Sequence, residues 1–401
     1  MTVKQIYELM NTVTGEVLGK TDLVAEDLSN VVDVGTEVFN ATAVDNYVKT
    51  LVNHIGKVIF VNRPYSGKIP SVLMDSWEFG SVLEKISCDT PAAEENESWD
   101  LVDGQEYKQD IFYKPTVSAK FFNSKVTFEV PMSFTEKQVK ESFSNAAQLN
   151  GFISMIYNAV DRSMTIKIDG LVMRTINSMI AQTLNADKTA FVGGYGTAST
   201  ARCVNLLKLY NDKFFPATGS TANPDALTAA KAIYDPDFIR FASYTMGVYV
   251  DRLASISTLF NVGGKDRFTD ANNLHVIMLS DFAKGADVYL QSDVRHNEMT
   301  RLPNYETIPY WQGSGQNYEF DSTSAINVKI DASTTVDIDG IVGVMFDRDA
   351  LGVSNLDRRV TTAYNAKAEF FNNYYKFDAG YFNDTNENFV VFFVSDAKTA
   401  G

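Results

Sequence analysis

The stretch EFFNNYYKFDAGYFNDTNENFVVFFV, Glu369 to Val394, decides how the chain is read. Ten of the 24 residues from Phe370 to Phe393 are aromatic, against 12% of the whole chain. Tyr375, Phe377, Ala379 and Tyr381 share one parity, and Lys376, Asp378 and Gly380 the other, which is the period of a half-buried strand. The polar run Asn383 to Asn388 reads as a turn, and Phe389 to Val394 as a second, more buried strand. The C-terminus is therefore expected to form a β-hairpin whose aromatic face needs a large cover.

Residues 133–189 offer one. A short helix, TEKQVKESF, opens the segment. Leu149, Phe152, Ile153, Ile156, Tyr157, Val160, Met164, Ile168, Leu171, Val172, Met179 and Ile180 then recur at helical spacing. The pattern runs for about 40 residues, on the order of 60 Å of helix. Gly151 and Gly170 weaken it slightly, and the alternation of Thr165 to Ile168 does not break it. A helix this long needs a layer to lie on, and the aromatic strands are the candidate.

The remaining segments differ in character. Residues 1–63 read as an N-terminal arm: a short helix at QIYELMNTV, extended segments in VAEDLSNVVDVGTEVFNA, and a helix from Val44 to Ile55 running into a strand from Lys57 to Val61. Residues 64–132 are strand-rich, as in KVTFEV, where Val126, Phe128 and Val130 alternate with Lys125, Thr127 and Glu129. Within them Asp89 to Glu106 holds seven acidic residues and no Lys or Arg. This run is either a solvated loop or the tip of a long hairpin. Residues 190–350 read as an α/β domain. After a linker at Gly193 to Thr200, helices are expected in CVNLLKLYNDKFF, PDALTAAKAIY, PDFIRFASYTMGVYVDRLASISTLF and DFAKGADVYLQSDV. Strands are expected at Leu274 to Ser280, Asn304 to Gly313 and Asp339 to Val353. Residues 351–401 return through TTAYNAKAEFF to the aromatic strands.

Composition narrows the function. The chain has 401 residues, 45% hydrophobic, with 50 Asp and Glu against 35 Lys and Arg and a net charge of −15. A protein that grips nucleic acid by neutralising phosphates shows the opposite sign, so tight DNA binding is not expected. Cys88 and Cys203 have no metal-ligand spacing, and so low a cysteine count suits a reducing compartment. MTVKQIYELMNTVTGE lacks a basic segment followed by an apolar one, so no signal peptide is expected. No run of 18 apolar residues predicts a membrane span.

Motifs for chemistry are weak throughout. TGEVLGKT resembles a phosphate-binding loop, but only three residues separate Gly15 from Gly19, and it reads as a turn. VDIDG, Val336 to Gly340, resembles a calcium loop but has Thr335 and Phe346 where acidic ligands belong. His54, His275 and His296 share no metal or catalytic spacing, and no G-x-S-x-G elbow occurs. No catalytic residue, cofactor or metal is expected. The residues singled out as possible subunit contacts are Trp77, Glu94, Glu95, Trp99, Lys108, Lys114, Lys120, Lys125 and Trp311. The lysines have a plainer reading as solvated strand-edge charges, and the tryptophans as packing residues.

The order of parts is arm, two-stranded excursion, long helix, inserted α/β domain and return strands. With KVTFEVPMSFTEKQVKESF, AAQLNGFISMIYNAV, NYETIPYWQGSG and GVMFDRDALGV, it resembles the major capsid proteins of tailed bacteriophages with the Hong Kong 97 fold. The resemblance implies an α+β fold with an N-terminal arm, an extended β-hairpin E-loop (64–132), a P-domain with a spine helix (133–189) and an α/β A-domain (190–350). Residues 351–401 would return to the P-domain, packing their hairpin under the spine helix. It implies self-assembly into hexamers and pentamers of an icosahedral shell around double-stranded DNA, in the cytoplasm of a bacterial host, with scaffolding and portal partners. The charged helical segment that opens many members is not found, so a separate scaffolding protein is expected. The family's cross-linking Lys, Asn and Glu find no match. The alternatives are an encapsulin-like compartment shell protein, a cytosolic α/β enzyme with its site in 190–350, and a carbohydrate-binding or tail protein using Trp77, Trp99 and Trp311.

Overall fold

The computed structural model describes residues 3–19, 24–30, 32–34, 36, 50, 69–74, 83–88, 90–91, 93, 95–107, 110–142, 146–217, 223–291, 305–311 and 324–396. In chain order they form α1 (Val3–Leu18), β1 (Leu73–Met74), β2 (Leu83–Cys88), β3 (Val117–Phe122), β4 (Lys125–Thr135), α2 (Glu136–Ser142), α3 (Ala146–Ala186), β5 (Cys203–Asn205), α4 (Leu206–Phe214) and α5 (Ala229–Ala232). They continue with α6 (Pro236–Ala254), β6 (Leu274–Leu279), α7 (Ser280–Gln291), β7 (Tyr305–Ile308), β8 (Ile326–Lys329), β9 (Thr335–Ile338), β10 (Ile341–Asp347), β11 (Leu351–Asn365), β12 (Phe370–Asn383) and β13 (Phe389–Phe393). The chain divides into two compact units: unit 1 (1–81, 125–172, 353–380) and unit 2 (82–124, 173–352, 381–401).

Unit 1 is built on the sheet β1-β11-β12-β4. β4 and β12 pair antiparallel from Phe370↔Thr135 to Gly380↔Lys125. The two alternations seen in the sequence lie rung against rung. Val126, Phe128 and Val130 face Ala379, Phe377 and Tyr375, and the Phe128 and Phe377 rings lie 5.1 Å apart. The opposite face is polar: Thr127 donates to Asp378, and Lys376 meets Glu129 at 3.2 Å. Such cross-strand pairs fix register, because a one-residue slip would put lysine and aspartate into the core. Thr135 and Gln138 then start α2 by reciprocal bonding, each side chain accepting the other's backbone N–H. Phe134 of β4 meets Phe152 of α3 edge-on and lies 6.2 Å from Phe371 of β12, so β4 links the long helix to the aromatic strand at this point.

Unit 2 is built on the mixed sheet β5-β13-β10-β6-β7. β13 runs antiparallel to β10 and parallel to β5, and all five of its residues are buried. Val390, Phe392 and Val394 join a core with Leu207, Tyr210, Phe238 and Met246 of α4 and α6. On the other face Phe393 meets Phe191 and Tyr195, and the end of α3 is tied in by Asn177, which donates to the Trp311 carbonyl. α4 and α6 start at side-chain caps: Asn205 accepts from the Lys208 N–H, and Asp235, followed by Pro236, accepts from the Phe238 N–H.

Besides Cys203–Asn205, expected to open a helix and found as strand β5, four expectations change. β12 and β13 do not form a hairpin: they lie in different sheets, and β12 pairs with β11 and β4. The reason is chemical. β12 alternates and suits a sheet with one wet face, whereas FVVFF is apolar throughout and needs cover on both faces. Second, the alternation shifts parity at Ala379 and Gly380, both buried, so Phe382 and not Tyr381 is buried. Third, residues 24–30 of the arm form turns and 32–34 are helical rather than extended, while α1 is 16 residues long and buries Ile6, Leu9, Met10 and Val13. Fourth, only Ala229–Ala232 of PDALTAAKAIY is helical. Asn211 accepts from the Leu227 N–H and donates to its carbonyl, which holds the preceding residues as a loop. The helix and strand expected at Val44 to Val61 lie outside the described residues. Thr14 to Leu18 of TGEVLGKT finish α1, closed by Gly19 at φ 66° with its N–H on the Gly15 carbonyl.

Two glycines should respond oppositely to alanine. Gly340 has φ 76°, and a Cβ there would overlap the Val394 carbonyl. Gly340→Ala should cost about 2–3 kcal/mol. Gly170 lies within α3 with open space around it, so Gly170→Ala should stabilise by about 0.5–1 kcal/mol. Urea midpoints of the unassembled subunit check both.

Candidate subunit-contact surface

The excursion predicted within residues 64–132 is a two-stranded ribbon. β2 and β3 pair from Leu83↔Phe122 to Cys88↔Val117 and, among the described residues, bond to no other strand. One face carries Ile86, Val117 and Phe121, all exposed. Beyond the ladder, Trp99 is 94% exposed and Phe112 87%, and Leu101, Val102, Ile111 and Tyr113 are exposed as well. A two-stranded ribbon with so much apolar surface in water is marginal alone, and exposed apolar patches of this kind mark contact sites.

The other face, with Lys85, Lys120 and Phe122, meets the turn between β12 and β13. Lys85 and Lys120 are direct cross-strand neighbours. Asp384 lies between them, with Oδ2 at 3.1 Å from Lys85 Nζ and Oδ1 at 2.9 Å from Lys120 Nζ. Glu387 receives Lys85 at 2.8 Å and Arg267 at 3.1 Å. The Phe122 ring lies 5.1 Å from that of Phe382, tilted by 44°. The Asp384 side chain is 2% exposed. Burial pushes its carboxyl up, but the Lys120 hydrogen bond, the Lys85 charge and the Asn386 N–H together hold it below the usual range. For Lys85, burial pulls down and the Glu387 and Asp384 bonds and charges outweigh it, so its ammonium titrates above the ordinary lysine value. Asp384 and Lys85 are therefore both charged between the two limits. The Asp384 contribution is present above the ordinary carboxylate range and is lost as pH falls through its lowered folded value; that of Lys85 is lost as pH rises through its raised one.

The residues singled out from sequence separate. Trp99, Glu95 and Lys114 stand exposed on the excursion. Lys125 opens β4, exposed; with Arg359 and Thr127 it helps hold Asp378 below the usual carboxylate range, the Arg359 bond being the strongest contributor. Lys120 is a correction to the solvated reading, since it is committed to Asp384. Trp311 is a correction to the contact reading: it is 0% exposed, and its Nε1 donates to the Ile341 carbonyl at 2.9 Å. An apolar residue in an isolated strand cannot show from sequence which side of a domain wall it occupies. Trp77, Glu94 and Lys108 lie outside the described residues. Lys85, Asp384, Glu387 and Arg267 were not foreseen; the one signal was a D-x-x-E in a turn beside a fully apolar strand.

The α/β core also carries an open groove. It lies on α4 and α6 and is lined by Tyr210, Phe214, Asp237, Arg240, Phe241 and Tyr244, and Asp237 is paired with Arg240 at 3.2 Å. Cys88 is exposed and Cys203 buried, its thiol pushed up chiefly by burial. Among the described residues no cluster of acidic, His or Cys side chains could hold a metal, and no helix is long and apolar enough to cross a membrane.

A sequence model of the Phi29-like phage major capsid protein family matches residues 10–393. The chain belongs to this family. No curated protein matches the chain in sequence. Among solved structures, a chain of the Staphylococcus phage Andhra capsid is 7% identical, with 83% of this chain and 86% of that chain covered at a TM-score of 0.50. A chain of the Cyanophage P-SCSP1u capsid is 8% identical, with 83% and 90% covered at 0.44. The capsid protein thus has the Hong Kong 97-type α+β fold expected from its element order, and it is a structural protein of a tailed-phage head shell. The shell role places it in the virion capsid, assembled from copies of itself.

Two tryptophans of the capsid protein should separate core from contact. Trp311→Ala should cost about 3–5 kcal/mol of subunit stability. Trp99→Ala should change it by less than about 0.5 kcal/mol while weakening shell assembly. Urea unfolding and sedimentation of assembled particles read the two effects.

Proposed function

We propose that this capsid protein forms hexamers and pentamers of a closed icosahedral shell around double-stranded DNA, with the β2–β3 ribbon and its tip (83–122) gripping a neighbouring copy. The observation that carries the reading is the ribbon itself: exposed Trp99, Phe112, Tyr113 and Phe121 on a segment without a core. An interface with another copy would bury this surface, and rotation about closed axes turns such a heterologous contact into a ring. The net charge of −15 suits a container for DNA, because an acidic wall offers few cations to trap phosphate. Separate scaffolding and portal proteins guide assembly in the bacterial host cytoplasm. The protein has no catalytic role; the Asp237–Arg240 pair in the α4–α6 groove is an ordinary helix-surface ion pair.

The test is size-exclusion chromatography with negative-stain microscopy of the chain expressed alone and with its neighbouring genes. Rings of five and six or closed shells are expected, and deletion of residues 90–116 should leave a folded subunit that no longer assembles. A subunit that stays monomeric or dimeric with every neighbouring gene product overturns the reading. Particles filled with a cargo enzyme rather than DNA would favour a compartment shell instead.

A further inference from the structure

We propose that Asp384 is a latch for the β2–β3 ribbon: one buried carboxylate shared by two lysines of the same rung fixes where the ribbon stands on unit 2, and its release lets the ribbon swing. Lys85 and Lys120 sit directly opposite each other in the ladder. Two like charges in that position repel, which weakens a ribbon that has little else to hold it. Asp384 reverses the sign of this effect by giving one oxygen to each lysine, at 3.1 and 2.9 Å. The bonds are charge-assisted and end on a buried carboxylate, and losing it leaves two facing ammonium groups with the Glu387 contact of Lys85 as the remaining opposite charge.

The latch has a fixed post. The turn that carries Asp384 is pinned to unit 2 independently of the ribbon. The Asp384 N–H donates to the Ala350 carbonyl at 2.7 Å, the Gly263 N–H to Thr385 at 2.8 Å and the Phe389 N–H to Phe260 at 2.9 Å. Gly263 packs closely on this turn, since a Cβ there would press on the Asn386 side chain. Asn388 bonds Thr269, and Arg267 holds Glu387 from the far side. The groups facing Asp384 are thus Lys85 of β2, Lys120 of β3 and the Asn386 N–H of its own turn, with Glu387 and Arg267 beside them. A rigid post and a coreless ribbon meet through an ion cluster centred on Asp384, with Glu387 on Lys85 and Phe122 on Phe382 beside it, which makes a device that can hold or release the ribbon. That holding and release serve different subunit settings rests on the proposed contact role of the ribbon; the latch itself exists in the unassembled subunit.

Hydrogen exchange of the full-length, unassembled subunit tests it, so the outcome does not depend on shell formation. Asp384→Asn should speed exchange of amides in 83–88 and 117–122 by about tenfold or more, with 274–279 and 341–347 unchanged. The double variant Lys85→Met, Lys120→Met keeps the carboxylate on the Asn386 N–H and gives a second route if the first variant fails to fold. Adding Asp384→Asn to it should change ribbon exchange no further, because the carboxylate acts through the lysines. Unchanged ribbon exchange, equal acceleration in β6 and β10, or additive effects would each overturn the latch.

Discussion

A strand with no polar face has to be covered on both sides, and unit 2 is arranged around meeting that demand for β13. FVVFF cannot tolerate water against either surface, so the sheet it enters carries α4 and α6 on one face and the end of α3 with Phe191 and Tyr195 on the other. Its place between β10 and β5 follows, since an edge would leave its backbone groups as well as its side chains exposed. The turn just before β13 is held still as a by-product, and it is this turn that receives the ribbon.

The capsid protein thus combines two kinds of stabilisation. The cores of units 1 and 2 are apolar and shape-determined. Among the described residues the ribbon is held by charge, through Asp384 and Glu387, by lysine bonds to the Asp349 carbonyl and the Thr385 hydroxyl, and by the ring contact of Phe122 with Phe382. Apolar packing resists displacement in every direction, whereas an ion cluster can break and re-form at little structural cost to either partner.

Much of this was legible because the sequence is locally consistent. The 3.6-residue spacing from Leu149 to Ile180 could only be a long helix, and α3 is one helix of 41 residues. The alternations in KVTFEV and YYKFDA named two half-buried strands and the faces they bury, apart from the parity shift at Gly380. The strand-rich composition around Cys88 pointed to paired strands, while the acidic run after it left a solvated loop and a hairpin tip both open. The net charge turned the reading away from nucleic-acid grip.

Local pattern determines which residues form helices and strands and which face each buries, because backbone periodicity and burial act over neighbouring positions. It does not determine partners. Whether Phe389 to Phe393 pairs with the strand before it or with two distant ones, and whether Trp311 is wall or surface, was decided by tertiary packing. So was the contact root: Lys120 and Asp384 are 264 positions apart, and only the fold brings a carboxylate between two lysines that sequence alone left as solvated charges. Coulombic partnership depends on distance in space, which the order of residues does not encode.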